Sequence, residues 1–436
     1  MNFSAPVQNS RKVINAWCSY DIANSAYNLI ITSSLFPVFY QEITKKVFGS
    51  EIVNFAGFHI KNTVLYNYAV AAAYFIIILL TPLLSGIADL GGYRKLLMRF
   101  FTLFGSVSCF CLYWFTGANV EYGIILVALG VIGYAGSLVY YNSFLPIIAT
   151  PDRHDKISAR GFSWGYAGSM VLLIFNLITI MNYKKFGFHD EFAALKFSFL
   201  EVGVWWLAVS QIAFYFLKEY PGQFTFKTSV LSKGFKEIIK VFGKIREQAS
   251  TSRFLLAFWF FSMGVQTIML VAAQFGSAEL GISGNKLIIT ILIIQFVGIV
   301  GAWLFGEVST HWGNKLSLVI MLIIWIAICV WAYFITTEMQ FYIIAAMVGM
   351  VMGGIQSQAR STYSKLIPTD TTDTASYFSF YDITEKFAIV IGMFGFGFIE
   401  QITKSMRNST ILLSAFFIIS LVIILFSKLD HTIQKH

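Results

Sequence analysis

Apolar stretches of about 18 residues or more recur along the chain between short polar connections, each long enough to cross a roughly 30 Å hydrocarbon layer as a helix. In the first half they predict spans at residues 14–38, 64–88, 96–115, 122–147, 158–181 and 197–217. In the second half they fall at 253–278, 286–309, 315–336, 340–362, 374–399 and 409–427. The apolar/polar alternation of a barrel strand is missing. The longest polar connection, residues 218–252 opened by Pro221-Gly222, divides the chain into six-span units at 1–217 and 253–436. Within it Leu231, Phe235, Ile238, Phe242 and Ile245 recur every three or four residues, with Lys236, Lys240 and Lys244 on another face. This pattern predicts an amphipathic helix lying on the membrane, or else a solvated tether with helical character.

Composition agrees with lipid as the solvent. Of 436 residues 57% are hydrophobic, and the mean hydropathy is +0.70, more apolar surface than one soluble core can bury. The formal charge of +9 would fit a nucleic-acid partner if the basic residues were scattered or clustered on one soluble face. Instead, taking alternate connections, one side of the membrane collects 21 of the 31 Lys and Arg and the other 9, with Lys386 inside a span. The basic side is therefore expected to be cytoplasmic, with both termini there, and no nucleic-acid role is expected. The leader with Arg11 and Lys12 runs into a long span without a small-residue cleavage site, so the first span is expected to stay. Cys18, Cys109, Cys111 and Cys329 all fall in spans at spacings that suit neither a metal site nor a redox pair. No H-E-x-x-H, G-x-S-x-G or phosphate-cradling G-x-x-x-x-G-K-[ST] occurs, so neither an enzyme nor a cofactor is expected.

Two anchors recur at nearly one offset. After the second and eighth spans, Ser85-Gly86-Ile87-Ala88-Asp89-Leu90-Gly91-Gly92-Tyr93-Arg94-Lys95 corresponds to Gly306-Glu307-Val308-Ser309-Thr310-His311-Trp312-Gly313-Asn314-Lys315. At the ends of the fourth and tenth, Tyr141 and Pro146 correspond to Tyr363 and Pro368. Their agreement predicts a duplicated, parallel-repeat architecture. The first anchor resembles the G-x-x-x-D-x-x-G-R-K cytoplasmic loop of the major facilitator superfamily, with Asp89, Gly92, Arg94 and Lys95 keeping its chemistry. In the second copy Thr310 takes the acidic position, so that loop is expected to latch more weakly. Trp17, the run Tyr20-Asp21-Ile22-Ala23-Asn24-Ser25-Ala26-Tyr27, the run Arg160 to Gly168, Gln358-Ala359-Arg360-Ser361 and Phe380-Tyr381-Asp382 resemble the autophagy-related vacuolar amino-acid effluxer family and its bacterial relatives. The resemblance implies an all-α polytopic fold of the major facilitator type, with twelve transmembrane helices in two six-helix pseudo-repeats.

Ionisable groups near the bilayer centre are costly and mark cavities or partners. Asp21 shares a face of the first span with Asn24, Ser25 and Asn28, a stripe that reads as a cavity wall or as an interhelical hydrogen-bond network. The tenth span presents Gly349, Gly353, Gln356 and Arg360 on one face, and Arg360 would suit a substrate carboxylate or would snorkel. Gln266 in the seventh is a pathway or packing residue. In the eleventh, Asp382 and Lys386 form an i to i+4 pair that leaves Glu385 over. The superfamily resemblance places these charges near the Asp89, Arg94 and Lys95 loop, where Asp382 and Lys386 would complete a latch between halves. Glu385 is then a candidate proton carrier alongside Asp21. Glycines at 130, 133, 136, 161, 165 and 168 predict close helix contact inside the bundle and a monomer rather than a dimerisation face.

The expected function is alternating-access transport of a small polar or zwitterionic solute, amino acids first, driven by a solute or proton gradient. The expected site is a bacterial inner membrane, or a vacuolar-type membrane in a eukaryote, with membrane lipids as the other partner. The rivals are an exporter of amphipathic toxic compounds, an uptake system for peptides or metabolites, and a non-transporting receptor or scaffold.

Overall fold

The computed structural model describes residues 8–218 and 229–429. Twelve span-length helical rods occur among them, besides a linker helix. Span 1 is a composite of Arg11–Ala26, a π-helical segment Tyr27–Thr32 and Leu35–Phe48. Span 2 is Asn62–Gly91, span 3 Arg94–Cys111, span 4 Val120–Ser143, span 5 His154–Met181 and span 6 Glu191–Phe216. After a linker helix, Ser229–Glu247, come span 7 (Ala249–Leu280), span 8 (Gly284–Trp312), span 9 (Asn314–Phe334), span 10 (Glu338–Leu366), span 11 (Thr374–Thr403) and span 12 (Met406–Leu425). Ten of the rods are long and apolar enough to cross a membrane. The other two, spans 1 and 11, carry Asp21 and the Asp382, Glu385, Lys386 group.

Span 1 departs most from expectation, reaching Phe48 rather than residue 38 and breaking at Ser33-Ser34. The break falls at the polar run Thr32-Ser33-Ser34 and is tolerated because the loosened carbonyls find new donors. Ser34 Oγ donates to the Leu29 carbonyl at 2.6 Å and the Tyr66 hydroxyl to that of Thr32 at 3.2 Å. An antiparallel hairpin, β1 Ile52–Phe55 and β2 Phe58–Lys61, follows.

Spans 2 and 4 pack against span 11, and span 5 packs against spans 8 and 10, so these contacts join the halves. The linker helix is corrected in part. Its Ile238, Val241 and Ile245 are buried and it packs on spans 2 and 7, so it docks on the bundle as well as facing outward. Phe242, expected with that apolar face, is 54% exposed. Pro221, Gly222 and the side chains of Leu231 and Phe235 lie outside the described residues.

Candidate functional site

Arg360 and Asp21, 339 positions apart, meet between spans 10 and 1. Both guanidinium Nη atoms donate to Asp21 Oδ2 at 3.2 Å, and the Tyr141 hydroxyl donates to the same oxygen at 2.7 Å. Arg360 Nε also donates to Ser158 Oγ at 2.9 Å and Nη2 to the Ser158 carbonyl at 3.0 Å. The guanidinium carbon lies 4.3 Å from the Phe162 ring centre and 4.7 Å from that of Trp17, which stacks on Tyr141 at 4.5 Å. Arg360 is 2% exposed and Asp21 4%. The pair can exist here because each charge is both paired and hydrogen-bonded. Arg360 therefore does not snorkel, and its donors are committed to protein rather than held open for a carboxylate.

The close approach of spans 1 and 5 depends on glycine. A Cβ at Gly161 would collide with Asp21 Oδ2 and come within 2.8 Å of Arg360, and one at Gly165 would meet Ser25 Oγ at 2.5 Å. Gly349 and Gly353 of span 10 turn to the backbone of span 8 at Ile294 and Gly298.

The ion pair lies at one end of a cavity of about 210 Å³ between the halves, which extends to Ser33 of span 1 and Leu287 of span 8. Asp21, Asn24, Ser25, Asn28, Gln266, Gln356, Arg360 and Glu385 all line it. So do Lys386, Tyr166 and Gln295. Gln356 Oε1 accepts from the Tyr166 hydroxyl at 2.8 Å, a contact between halves at mid-depth. Two polar atoms of this wall, Asn24 Nδ2 and Gln295 Oε1, are buried without a protein partner, one a donor and one an acceptor. An apolar side cavity of about 60 Å³ adjoins it within the second half, lined by Phe275, Cys329 and Phe341 and sharing Ile268 and Val348 with it.

The span 11 charges are arranged differently from the expected latch. Lys386 Nζ lies 2.8 Å from Glu385 and 3.1 Å from Asp382, so one ammonium serves both acids, and Glu385 also accepts from Gln266 Nε2 at 2.9 Å. The Asp89 loop meets span 11 elsewhere. Asp89 accepts from the backbone N–H groups of Ala375 and Ser376 at 3.0 and 2.8 Å, while Arg94 holds Asp89 at 2.6 Å and donates to the Thr372 carbonyl. Asp382 stands six residues beyond Ser376, about 9 Å along the helix, out of reach of that grip. Gly92 ends span 2 at φ +69°, a left-handed conformation that favours glycine. Lys95 occupies the first turn of span 3, half-buried.

On the second-half loop, Thr310 caps back onto the Gly306 carbonyl at 2.8 Å, and the acid comes from span 5 instead. Asp155 pairs with Lys365 at 2.5 Å and accepts from Asn314 at 2.8 Å. Beside it Lys156 pairs with Glu307 at 3.1 Å and Ser158 Oγ donates to the Ser357 carbonyl at 2.7 Å. Among the described residues, every ion pair between the halves lies at Asp21–Arg360 or toward this basic face. On the opposite face Glu51 pairs with Lys45 and Lys61, Lys286 with Glu338 and Arg407 with Glu279, each within one half.

The family description "Vacuole effluxer Atg22 like" matches residues 9–436. The chain belongs to this family. An uncharacterized MFS-type transporter of Bacillus subtilis, YxiO, is 30% identical over 419 residues, covering 94% of both chains. Autophagy-related protein 22 of Saccharomyces cerevisiae is 26% identical over 403 residues, 79% of this chain and 74% of that one. In fold, the outward conformation of the transporter FucP superposes with a TM-score of 0.70 at 12% identity, over 96% of this chain and all of that one. The chain is thus a multi-pass membrane protein with the major facilitator fold, of a transporter family and not an enzyme. The Atg22-like motifs quoted above include Trp17, Phe162 and Tyr166, yet sequence reasoning assigned these no role. Nor did it assign a site role to Tyr141, Asp155, Ser158 or Gln295. Tyr141 was marked only as a repeat anchor, and Ser158 had no local signal. Asp155 did, as an acid three residues before a predicted span.

Proposed function

We propose that this protein is a secondary active transporter that carries a small polar or zwitterionic solute, amino acids first, through the central cavity by alternating access. The observation that carries the reading is the distribution of inter-half bonds: they seal the basic face and leave the cavity extending the other way. A cycle then consists of breaking the Asp155–Lys365, Asp89–span 11 and Asp21–Arg360 contacts while the opposite ends of the halves close. In this reading the basic face is cytoplasmic, the membrane is a bacterial inner membrane, the working unit is a monomer, and the state described faces outward.

The lining supports the choice of cargo. Two acids and two bases, Asp21, Glu385, Arg360 and Lys386, balance one another, which favours a zwitterion or neutral polar solute over a net ion. Asn24 Nδ2 and Gln295 Oε1 offer one donor and one acceptor that the protein leaves unpartnered. When the halves part, Asp21 loses Arg360, and a proton is the smallest ligand that relieves the exposed carboxylate; Glu385 is the second candidate for that role. Energy then comes from the proton gradient or from the solute's own, with export the direction the family description favours.

The apolar side cavity supports a second reading, an exporter of amphipathic compounds. A thermal-shift screen of the purified protein separates them, because only a ligand of the folded state raises the melting temperature. Stabilisation by zwitterionic amino acids, lost in Asn24→Ala and Gln295→Ala, is the expected result. Stabilisation by amphipathic compounds alone would replace the first reading with the second.

A further inference from the structure

The linker helix bridges the two halves on the basic face. It packs on span 2 of the first half, while Val241 and Ile245 are buried among the core residues of the second. Its charged side reaches one acid beyond the helix, Asp373: Lys244 Nζ lies 3.4 Å and Lys240 Nζ 4.0 Å from its Oδ2, while Lys240 also pairs with Glu237 of its own helix at 2.6 Å. Asp373 immediately precedes span 11, beside Thr372, Ala375 and Ser376, which take the grip of Asp89 and Arg94. The linker lysines therefore hold the same helix end that the span 2 loop holds, and from the same side of the seal.

What the helix leaves outward is not a soluble surface. Ile239 and Phe242 are 56% and 54% exposed. The Phe242 ring lies 5.7 Å from that of Phe380, which is six residues into span 11. At 1.5 Å per residue that is about 9 Å along the span, a depth at which exposed apolar side chains meet the boundary between headgroups and acyl chains. The lysine side chains are also accessible, Lys240 at 55% and Lys244 at 38%, whereas Asp373 is only 11% exposed. A partly exposed Lys–Asp pair is weak, and basic residues at a leaflet surface attract anionic lipid.

We propose that the linker helix is a lipid-responsive clasp: anionic phospholipid headgroups of the adjoining leaflet compete with Asp373 for Lys240 and Lys244 and loosen the seal on the basic face. The occupant is a bilayer lipid rather than a free phosphate, because Ile239 and Phe242 offer acyl contacts beside the charges.

Full-length protein carrying spin labels at Arg153→Cys and His311→Cys, one on each half at the basic face, tests this in nanodiscs of phosphatidylcholine and of a 3:1 mixture with phosphatidylglycerol. Pulsed distance measurements are expected to show the separated population rising at least threefold with phosphatidylglycerol. The Lys240→Gln/Lys244→Gln variant is expected to be separated already in phosphatidylcholine and to respond no further. Asp373→Asn, which keeps the lysines, is expected to match that variant in phosphatidylcholine and guards against a fold defect in the lysine variant. An undiminished phosphatidylglycerol response in the lysine variant, no response in the native sequence, or a response reproduced by soluble phosphate would each overturn the proposal.

Discussion

Arg360 presents five N–H donors in one plane, and its neighbours take up that plane from three directions: Asp21, Ser158 and a sandwich of Trp17 and Phe162 rings. An arginine held this way is a joint between helices that must come apart in the proposed cycle. Removing one partner strands the other as an unpaired buried charge, so Arg360→Gln should destabilise the protein by about 3–5 kcal/mol. Asp21→Asn combined with Arg360→Gln should recover most of that loss, since neither charge then remains. Thermal melts of the two single variants and the double variant measure the coupling; additive losses would mean the residues do not act as a pair. Lys386 makes a parallel case. Lys386→Gln leaves Asp382 and Glu385 facing each other without a counter-ion, and should lower the melting temperature more than Glu385→Gln, which keeps the Asp382–Lys386 pair.

At the scale of elements, spans 1 and 5 show how small residues set the packing around the ion pair. Gly161, Gly165 and Gly168 place span 5 against Asp21, Ser25 and Ile22, and this contact brings Ser158 beneath Arg360. Gly161→Ala should therefore cost about 1–3 kcal/mol through overpacking, while Gly243→Ala in the linker helix, where a Cβ meets nothing within 4 Å, should be tolerated. Comparing their melting temperatures checks this. The rods were legible in the sequence because hydropathy over a membrane-length window is a local signal, and the stripe of Asp21, Asn24, Ser25 and Asn28 was legible because helical spacing is local too. The break in span 1 was not: Thr32-Ser33-Ser34 is a polar interruption too short to stand out in a membrane-length window, and the hydroxyl of Tyr66 that accommodates it comes from another span. Nor was the Asp21–Arg360 pair, since a contact across hundreds of residues has no periodicity. The Asp89 loop was found by its repeat, but its partner was misjudged, because the backbone N–H groups at the start of span 11 leave no side-chain signature to compete with the visible charges at Asp382 and Lys386.

For the whole molecule, the two halves share an architecture while dividing the latch unequally. The first half grips span 11 with Asp89 and Arg94 from its own loop. The second half's loop carries Thr310 where the acid would be, and the missing charge is supplied across the interface by Asp155 of span 5. Asp155→Asn and Asp89→Asn should each open the basic face, read as faster thiol labelling of a cysteine at the buried Ser357; unchanged labelling would leave the latch assignment without support. The central claim is that solute crosses through the cavity between the halves, and solute counterflow in proteoliposomes tests it most directly. A labelled amino acid identified by the binding screen should accumulate transiently in vesicles preloaded with the same unlabelled solute. That accumulation should vanish when a single cysteine at Asn28, in the cavity wall, is blocked by a bulky thiol reagent. Counterflow that persists with Asn28 blocked, or no exchange of any solute that measurably binds, would contradict the account.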